Sequence, residues 1–241
     1  MALMSEHVSK KFDSELEELR SRVMQMGGLV ETQISHAVEA FMNGDKDGFE
    51  RVIADDHQVN AFEVSIDDDC AHLIARRQPT AGDLRMVMAV SKIVTDLERI
   101  GDEADKIARM GRQIYQRDHL LVPRLNDVRI MGDAGVRMLR DVLDAFVRLD
   151  PVAAARIVRE DKTVDENFRS FLRVLITYMM EDPRTISTVL DIVFVSKALE
   201  RIGDHVKNIA ESVIYIVKGK NVRHIGIDQL EREALSDGTQ S

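Results

Sequence analysis

Glu98-Arg99-Ile100-Gly101-Asp102 recurs, letter for letter, as Glu200-Arg201-Ile202-Gly203-Asp204. Each copy lies inside a longer matching stretch, Asp96 to Ala108 and Ala198 to Ala210. Upstream of the two copies the halves continue to match. Met26-Gly27 falls on Met131-Gly132 and Phe41 on Phe146, while Arg51, Asp56 and Val59 fall on Arg156, Asp161 and Val164, all at one constant offset. The offset shrinks slightly across the proline turns and then brings the repeated phrase into line. Self-similarity over this length is the signature of an internal duplication.

The repeating unit reads as three long helices. The first runs from about Lys10 to Met42, with Leu16, Leu19, Val23, Met26, Val30, Ile34 and Ala37 at steps of three and four. Gly44 to Gly48 is a polar turn without the ligand spacing of a calcium loop. The second helix covers about Asp47 to Arg77, with Val52, Val59, Val64, Ile66, Leu73 and Ile74 as its apolar positions. Pro79 stops it, and Thr80 with Asp83 caps a third helix, about Ala81 to Arg117. That helix sets Val87, Val90, Val94, Leu97, Gly101, Ala104 and Ala108 along one seam, and Pro123 closes the half. The second half repeats the scheme: about Asn126 to Leu149, then Asp150-Pro151 opening a fifth helix to Glu181, then Asp182-Pro183 opening a sixth to Lys218. The fold class is therefore all-α, six long helices as two duplicated three-helix bundles, spanning residues 1–120 and 121–218. Residues 219–241 form a polar tail, read as mobile apart from a short helix near Gln229 to Leu235.

Composition supports this and excludes several classes. The 241 residues include no Trp and few aromatics, which suits packed helices. A net charge of -9 argues against nucleic acid, which asks for a basic face. The single cysteine, Cys70, rules out an intrachain disulfide or a cysteine zinc site. The most apolar run, Val189 to Leu199, is interrupted by Asp191 and Lys197, and no signal-peptide core precedes the charged N-terminus, so a cytoplasmic location is expected.

The repeated phrase carries the chemistry. Glu98, Asp102 and Asp105 stand at i, i+4 and i+7 and share a stripe at the edge of the bundle; Glu200, Asp204 and Asn208 or Glu211 repeat it. Folding back at Pro79 brings Asn60 and Asp56 level with Glu98 and Asp102 respectively, and folding at Pro183 brings Asp165 and Asp161 level with Glu200 and Asp204. Gly101 and Gly203 let the opposing helix come close. Oxygen donors from two helices point to hard or borderline divalent ions, Mg, Mn or Fe, with Zn the poorer fit. The bland alternative is a helical scaffold with solvated acidic edges, neutralised locally by Arg99, Arg201, Lys92 and Lys106. A third is a carboxylate-bridged metalloenzyme, a phosphohydrolase or oxidase. The Glu-x-x-His pair of di-iron helices is absent, as are phosphate-binding loops and nucleophile elbows. His57 and His205 adjoin the acidic stripe but point elsewhere, and read as surface histidines.

Taken with Met24-Gln25-Met26-Gly27-Gly28, Ala75-Arg76-Arg77-Gln78-Pro79-Thr80, Asp83-Leu84-Arg85 and Tyr178-Met179-Met180-Glu181-Asp182, the two copies make the chain resemble the PhoU family over nearly its whole length. The resemblance implies a cytoplasmic, often dimeric, non-enzymatic helical protein. Such proteins connect the ATPase of a phosphate ABC transporter with a phosphate-sensing membrane histidine kinase. They keep the kinase from switching on the phosphate-starvation response when phosphate is plentiful, and they restrain uptake. Contact with the membrane is only through those partners. The resemblance also implies divalent metal ions, in some members multinuclear clusters, on E(D)-x-x-x-D motifs. Carried over, these are Glu98/Asp102, Glu200/Asp204 and Asp161/Asp165. The helix-two counterpart departs from the motif, because Asp56 is followed by the neutral Asn60, with Asp105 available to complete that site. On carboxylate count the second copy is the better metal site.

Overall fold

Seven helices account for nearly all of the described chain, and their ends follow from local chemistry. The computed structural model describes residues 2–116 and 126–236, with side chains from Phe12 onward. The helices are α1 (Ala2–Asn43), α2 (Lys46–Arg77), α3 (Ala81–Tyr115), α4 (Asn126–Arg148), α5 (Pro151–Glu181), α6 (Ile186–Lys218) and α7 (Ile227–Leu235). Pro123, His119 and the expected end of the third helix at Arg117 lie outside the described residues.

The α1–α2 turn is tighter than the polar run suggests, because α2 starts at Lys46 and leaves only Gly44 and Asp45 between helices. Gly44 takes a left-handed φ of 65°, and a Cβ there would lie 2.6 Å from the Tyr115 ring. The Tyr115 hydroxyl donates to the Phe41 carbonyl at 2.7 Å, satisfying an α1 C-terminal acceptor from across the half. At the head of α5 the Asp150 carboxylate accepts from the Val152 and Ala153 amides, both at 2.9 Å, with Pro151 just inside the helix. At the head of α3 the Thr80 hydroxyl instead donates to Asp83 at 2.8 Å and makes no side-chain cap bond. Asp182 and Pro183 open a short 3-10 turn, Pro183–Thr185, and α6 follows from Ile186.

The apolar seams pack as their spacing requires. Val23, Met26, Val30, Ile34 and Ala37 of α1 are fully buried, as are Val87, Val90, Val94, Leu97, Ala104 and Ala108 of α3. Two expected α2 core positions are exposed, Val64 at 69% and Ile74 at 37%. The α2 stripe is Val52, Val59, Ile66 and Leu73, a heptad spacing, and a residue five past Val59 is turned well away from it. The two three-helix halves share one core: α3 lies along α6, and α1 crosses α4. Gly27 and Gly132 make that second crossing close, since a Cβ on either would come within 2.5 Å of Leu143 or 2.6 Å of Val38.

The short helix expected near Gln229 to Leu235 is α7, Ile227–Leu235, but the segment that carries it is packed against the bundle where mobility was expected. From Gly219 to Ser236 it is docked: α7 packs against α5 with Val222, Leu230 and Ala234 buried, and Arg159 pairs with Glu231 at 2.5–2.6 Å. The apolar residues Val222, Leu230 and Ala234 are too few to give a periodic signal, but they suffice to cover an α5 face. Residues 237–241 lie outside the description.

Candidate metal centres

The hairpin geometry sets both crevices. A Cβ on Gly101 would lie 3.7 Å from Asp56 Oδ1 and 3.2 Å from Val59, and a Cβ on Gly203 would lie 3.0 Å from Asp161 Oδ1. The missing side chain in each copy of the phrase is thus what leaves room for the opposing helix's carboxylate. Helix α2 faces α3 through Asp56, and α5 faces α6 through Asp161, as the fold-back at Pro79 and Pro183 requires.

The first crevice is rich in unsatisfied oxygen. Asp56 accepts from the Gln33 amide at 3.0 Å and from the Asn60 amide at 3.1 Å. Each amide spends its N–H on Asp56 and leaves its own carbonyl oxygen buried with no hydrogen-bond donor. Glu98 Oε2 and Asp105 Oδ1 are in the same condition. Among the described residues six buried side-chain polar atoms lack a hydrogen bond, and the four that are oxygens all belong to this crevice. Buried acceptors left this way cost about 1–3 kcal/mol each. The charges agree. Burial, then repulsion from Asp102 and Glu63, raises the Glu98 carboxyl above its ordinary range; burial, then Asp56, raises Asp102. Glu63 is raised by burial and by Asp67. Arg99 offers only long contacts, 3.4 Å to Glu98 and 3.4 Å to Asp102, while Arg109 holds Asp105 at 2.5 Å.

The second crevice carries its own cations. Lys207 stands 3.4 Å from the buried Asp161, and Lys197 clamps both oxygens of the buried Glu200 at 2.5–2.6 Å. Asp165 lies 4.0 Å from Arg169, and Asp204 is exposed. Asp161 is pushed up to about 6 by burial, which outweighs the lowering by Lys207. Asn208 does not face this crevice: it donates to Asp96 at 3.1 Å across the seam between halves. Glu211 is buried and raised by that burial, against lowering by Lys207, Arg223 and His224. Among the described residues the second crevice has no buried carboxylate oxygen without a hydrogen bond.

As placed, no group of three His, Cys, Asp or Glu side chains converges closely enough to grip an ion among the described residues. The first crevice nevertheless suits a hard cation in donor type and in its buried oxygens without hydrogen bonds, whereas in the second Lys207 and Lys197 already pair with Asp161 and Glu200. Two contributors to the first crevice escape a reading confined to the Glu-x-x-x-Asp spacing. Glu63 continues the Asp56–Asn60 stripe at i+7, and Gln33 stands as a buried polar residue in the α1 seam between Val30 and Ala37. His205, read as a surface residue, is half-buried at the α3–α6 seam with Nδ1 2.9 Å from Asp96. Beside it Arg201 crosses to Glu103 at 2.8 Å. His57 is exposed, with Nδ1 against the Ala54 carbonyl. No helix among the described residues is long and apolar enough to cross a membrane.

Comparison with known proteins agrees with this architecture. The PhoU domain family model matches twice, over residues 23–110 and 128–213. The chain is 48% identical over 229 residues to the phosphate-specific transport system accessory protein PhoU of Escherichia coli (strain K12), covering 95% of this chain and 94% of that one. It is 47% identical over 231 residues to the homologue from Pseudomonas aeruginosa, covering 95% of each. The crystal structure of PhoU from Pseudomonas aeruginosa superposes with a TM-score of 0.83 at 48% identity, covering 87% of this chain and 100% of that one. PhoU from Streptococcus pneumoniae gives 0.82 at 31% identity, covering 88% and 99%. With a duplicated three-helix unit, a carboxylate-facing glycine in each copy and matches over both halves, the chain belongs to the PhoU family.

Proposed function

We propose that this chain regulates phosphate transport as a non-enzymatic helical adaptor, and that a divalent cation held in its first crevice is part of how it does so. The relatives' designation as phosphate-specific transport system accessory proteins supports the transport role. The observation that carries the metal reading is the set of four buried oxygens without hydrogen bonds on Gln33, Asn60, Glu98 and Asp105, beside the Glu98 and Asp102 carboxyls, raised first by burial and then by their acidic neighbours. Mg, Mn or Fe suits an all-oxygen donor set. Asp56, Glu98, Asp102 and Asp105 supply charge and Asn60 and Gln33 supply neutral oxygens. A bound cation would offset the repulsion that these groups otherwise bear.

The chain's own residues then connect the site to its surface. Arg99 and Arg109 hold Asp102 and Asp105 from outside, with side chains 55% and 49% exposed. When the carboxylates turn to a cation, both guanidinium groups are released on the outer face of α3. Occupancy is thereby written as positive charge on a surface available to partners. In this reading the partners are the transporter ATPase and the phosphate-sensing kinase, restrained when phosphate is plentiful, and the adaptor works as a homodimer.

The experiment is a Mn2+ titration by calorimetry on protein stripped of metal, comparing wild type with the double variant Glu98→Gln/Asp102→Asn. Binding at least tenfold weaker in the variant is expected; equal affinity overturns the site. Pull-down of the transporter ATPase and of the kinase, with and without Mn2+, tests the adaptor role, which fails if neither is retained.

A further inference from the structure

We infer that the second crevice is a metal site in outline only: Lys207 serves there as a built-in cation, so that each chain holds one metal centre, in its first half. The contrast rests on reading the first crevice as a metal centre. When the two copies of the repeated phrase are superposed, Lys207 falls on Asp105 and Lys197 on Thr95. With Asp56 on Asp161, Phe168 falls on Glu63, and with Met26 on Met131, Met138 falls on Gln33. At each place where the first crevice supplies an oxygen beyond its four shared positions, the second supplies an ammonium group, a ring or a thioether.

The contacts show what these exchanges do. The Lys207 ammonium reaches Asp161 at 3.4 Å, and Asp161 is 4% exposed and lies against Gly203. Lys197 neutralises Glu200 at 2.5–2.6 Å while its ammonium sits 5.4 Å over the Phe168 ring, a cation–π contact that a glutamate there would turn into an ion pair. Two buried carboxylates thus have two fixed lysine partners. A divalent ion drawing on Asp161 and Glu200 would have to displace both ammonium groups, and no buried oxygen without a hydrogen bond awaits it among the described residues. In the first crevice it meets buried oxygens without hydrogen bonds and long arginine contacts to Glu98 and Asp102, with Asp105 alone held tightly, by Arg109 at 2.5 Å. A tethered lysine cannot be removed by chelation, so the second half keeps its charge balance whatever the metal supply. The first half is the one that can respond.

The test uses the Glu98→Gln/Asp102→Asn protein, in which the first crevice is silenced, with Mn2+ as probe. Three forms are titrated by calorimetry: the background, the background with Lys207→Asp, and that with Asp161→Asn added. The background should show no Mn2+ event that depends on Asp161. Lys207→Asp, which places a carboxylate where the first crevice has Asp105, should create one, and Asp161→Asn should abolish it. In parallel, Lys207→Met should lower Tm by about 5 °C, because a buried carboxylate loses its counter-ion, and Asp161→Asn should restore it. The inference is overturned if the background binds Mn2+ in an event abolished by Asp161→Asn, or if Lys207→Met leaves Tm unchanged. Should wild-type protein bind no Mn2+ at all, the first-crevice reading fails, and the Lys207→Met and Asp161→Asn melts still decide the role of the lysine.

Discussion

Removing the charge of Asp161 should make the protein's stability less dependent on pH, in a window its burial defines. The carboxyl is 4% exposed and is faced by Lys207 and Asp204 of α6 and by Asp165 of its own helix. Burial pushes it from 3.8 to about 6, with Lys207 opposing and Asp204 and Asp165 adding to the rise. A folded-state value above the unfolded one means that the folded chain binds the proton more tightly. The contribution to stability is therefore fully present below about pH 4 and is lost as pH rises through about 6. A rise of roughly two units corresponds to about 3 kcal/mol. Urea denaturation of wild type and Asp161→Asn, from about pH 4 to about pH 7 without divalent ions, isolates the effect. Glu63, Glu98, Asp102 and Glu211 are also raised but contribute to both proteins and cancel in the difference. The advantage of the asparagine variant should grow across that window by as much as about 3 kcal/mol and then level off. A flat difference, or one that shrinks as pH rises, would refute the claim that burial dominates at Asp161.

Three further outcomes follow from the packing. Gly111→Ala puts a Cβ 2.5 Å from the Phe49 ring and 3.1 Å from Phe41, both fully buried; overpacking of about 1–3 kcal/mol should exceed the helix-propensity gain of about 1 kcal/mol, a net loss readable in urea melts. Asp150→Ala removes acceptors for two backbone amides at the head of α5 and should cost about 1 kcal/mol by the same assay. A double-mutant cycle of Asp96→Ala and His205→Ala should give a coupling of at least about 0.5 kcal/mol, since the pair joins α3 to α6 in a half-buried seam; additive losses would show that the contact contributes nothing.

The fold was legible because its signals are periodic and doubled. Heptad-spaced seams such as Val87–Val94–Gly101–Ala108 give the helices, prolines at 79, 151 and 183 give their joints, and the repeated phrase gives the duplication. The opposition of Asp56 to α3 and of Asp161 to α6 was equally readable, because equal helical rise on both arms of a hairpin fixes the level of each residue. Other features depend on contacts that no local pattern announces. That α3 and α6 share one core, and that Asp96 meets His205 and Asn208 there, depends on how two amphipathic units choose each other's faces. Docking of α7 rests on a few buried residues in a polar stretch. Carboxylate count and the placement of cations rank the two crevices differently. Counting acidic residues alone overlooks Lys207, which occupies the position of Asp105 in the second copy and was visible in the alignment of the halves.

Crystals of the full chain grown with Mn2+ and measured at a wavelength where manganese scatters anomalously would locate any bound ion in one crevice or the other. An anomalous peak is expected among Asp56, Glu98, Asp102 and Asp105, and none between Asp161, Glu200 and Lys207. A peak in the second crevice with the first left empty would contradict that expectation.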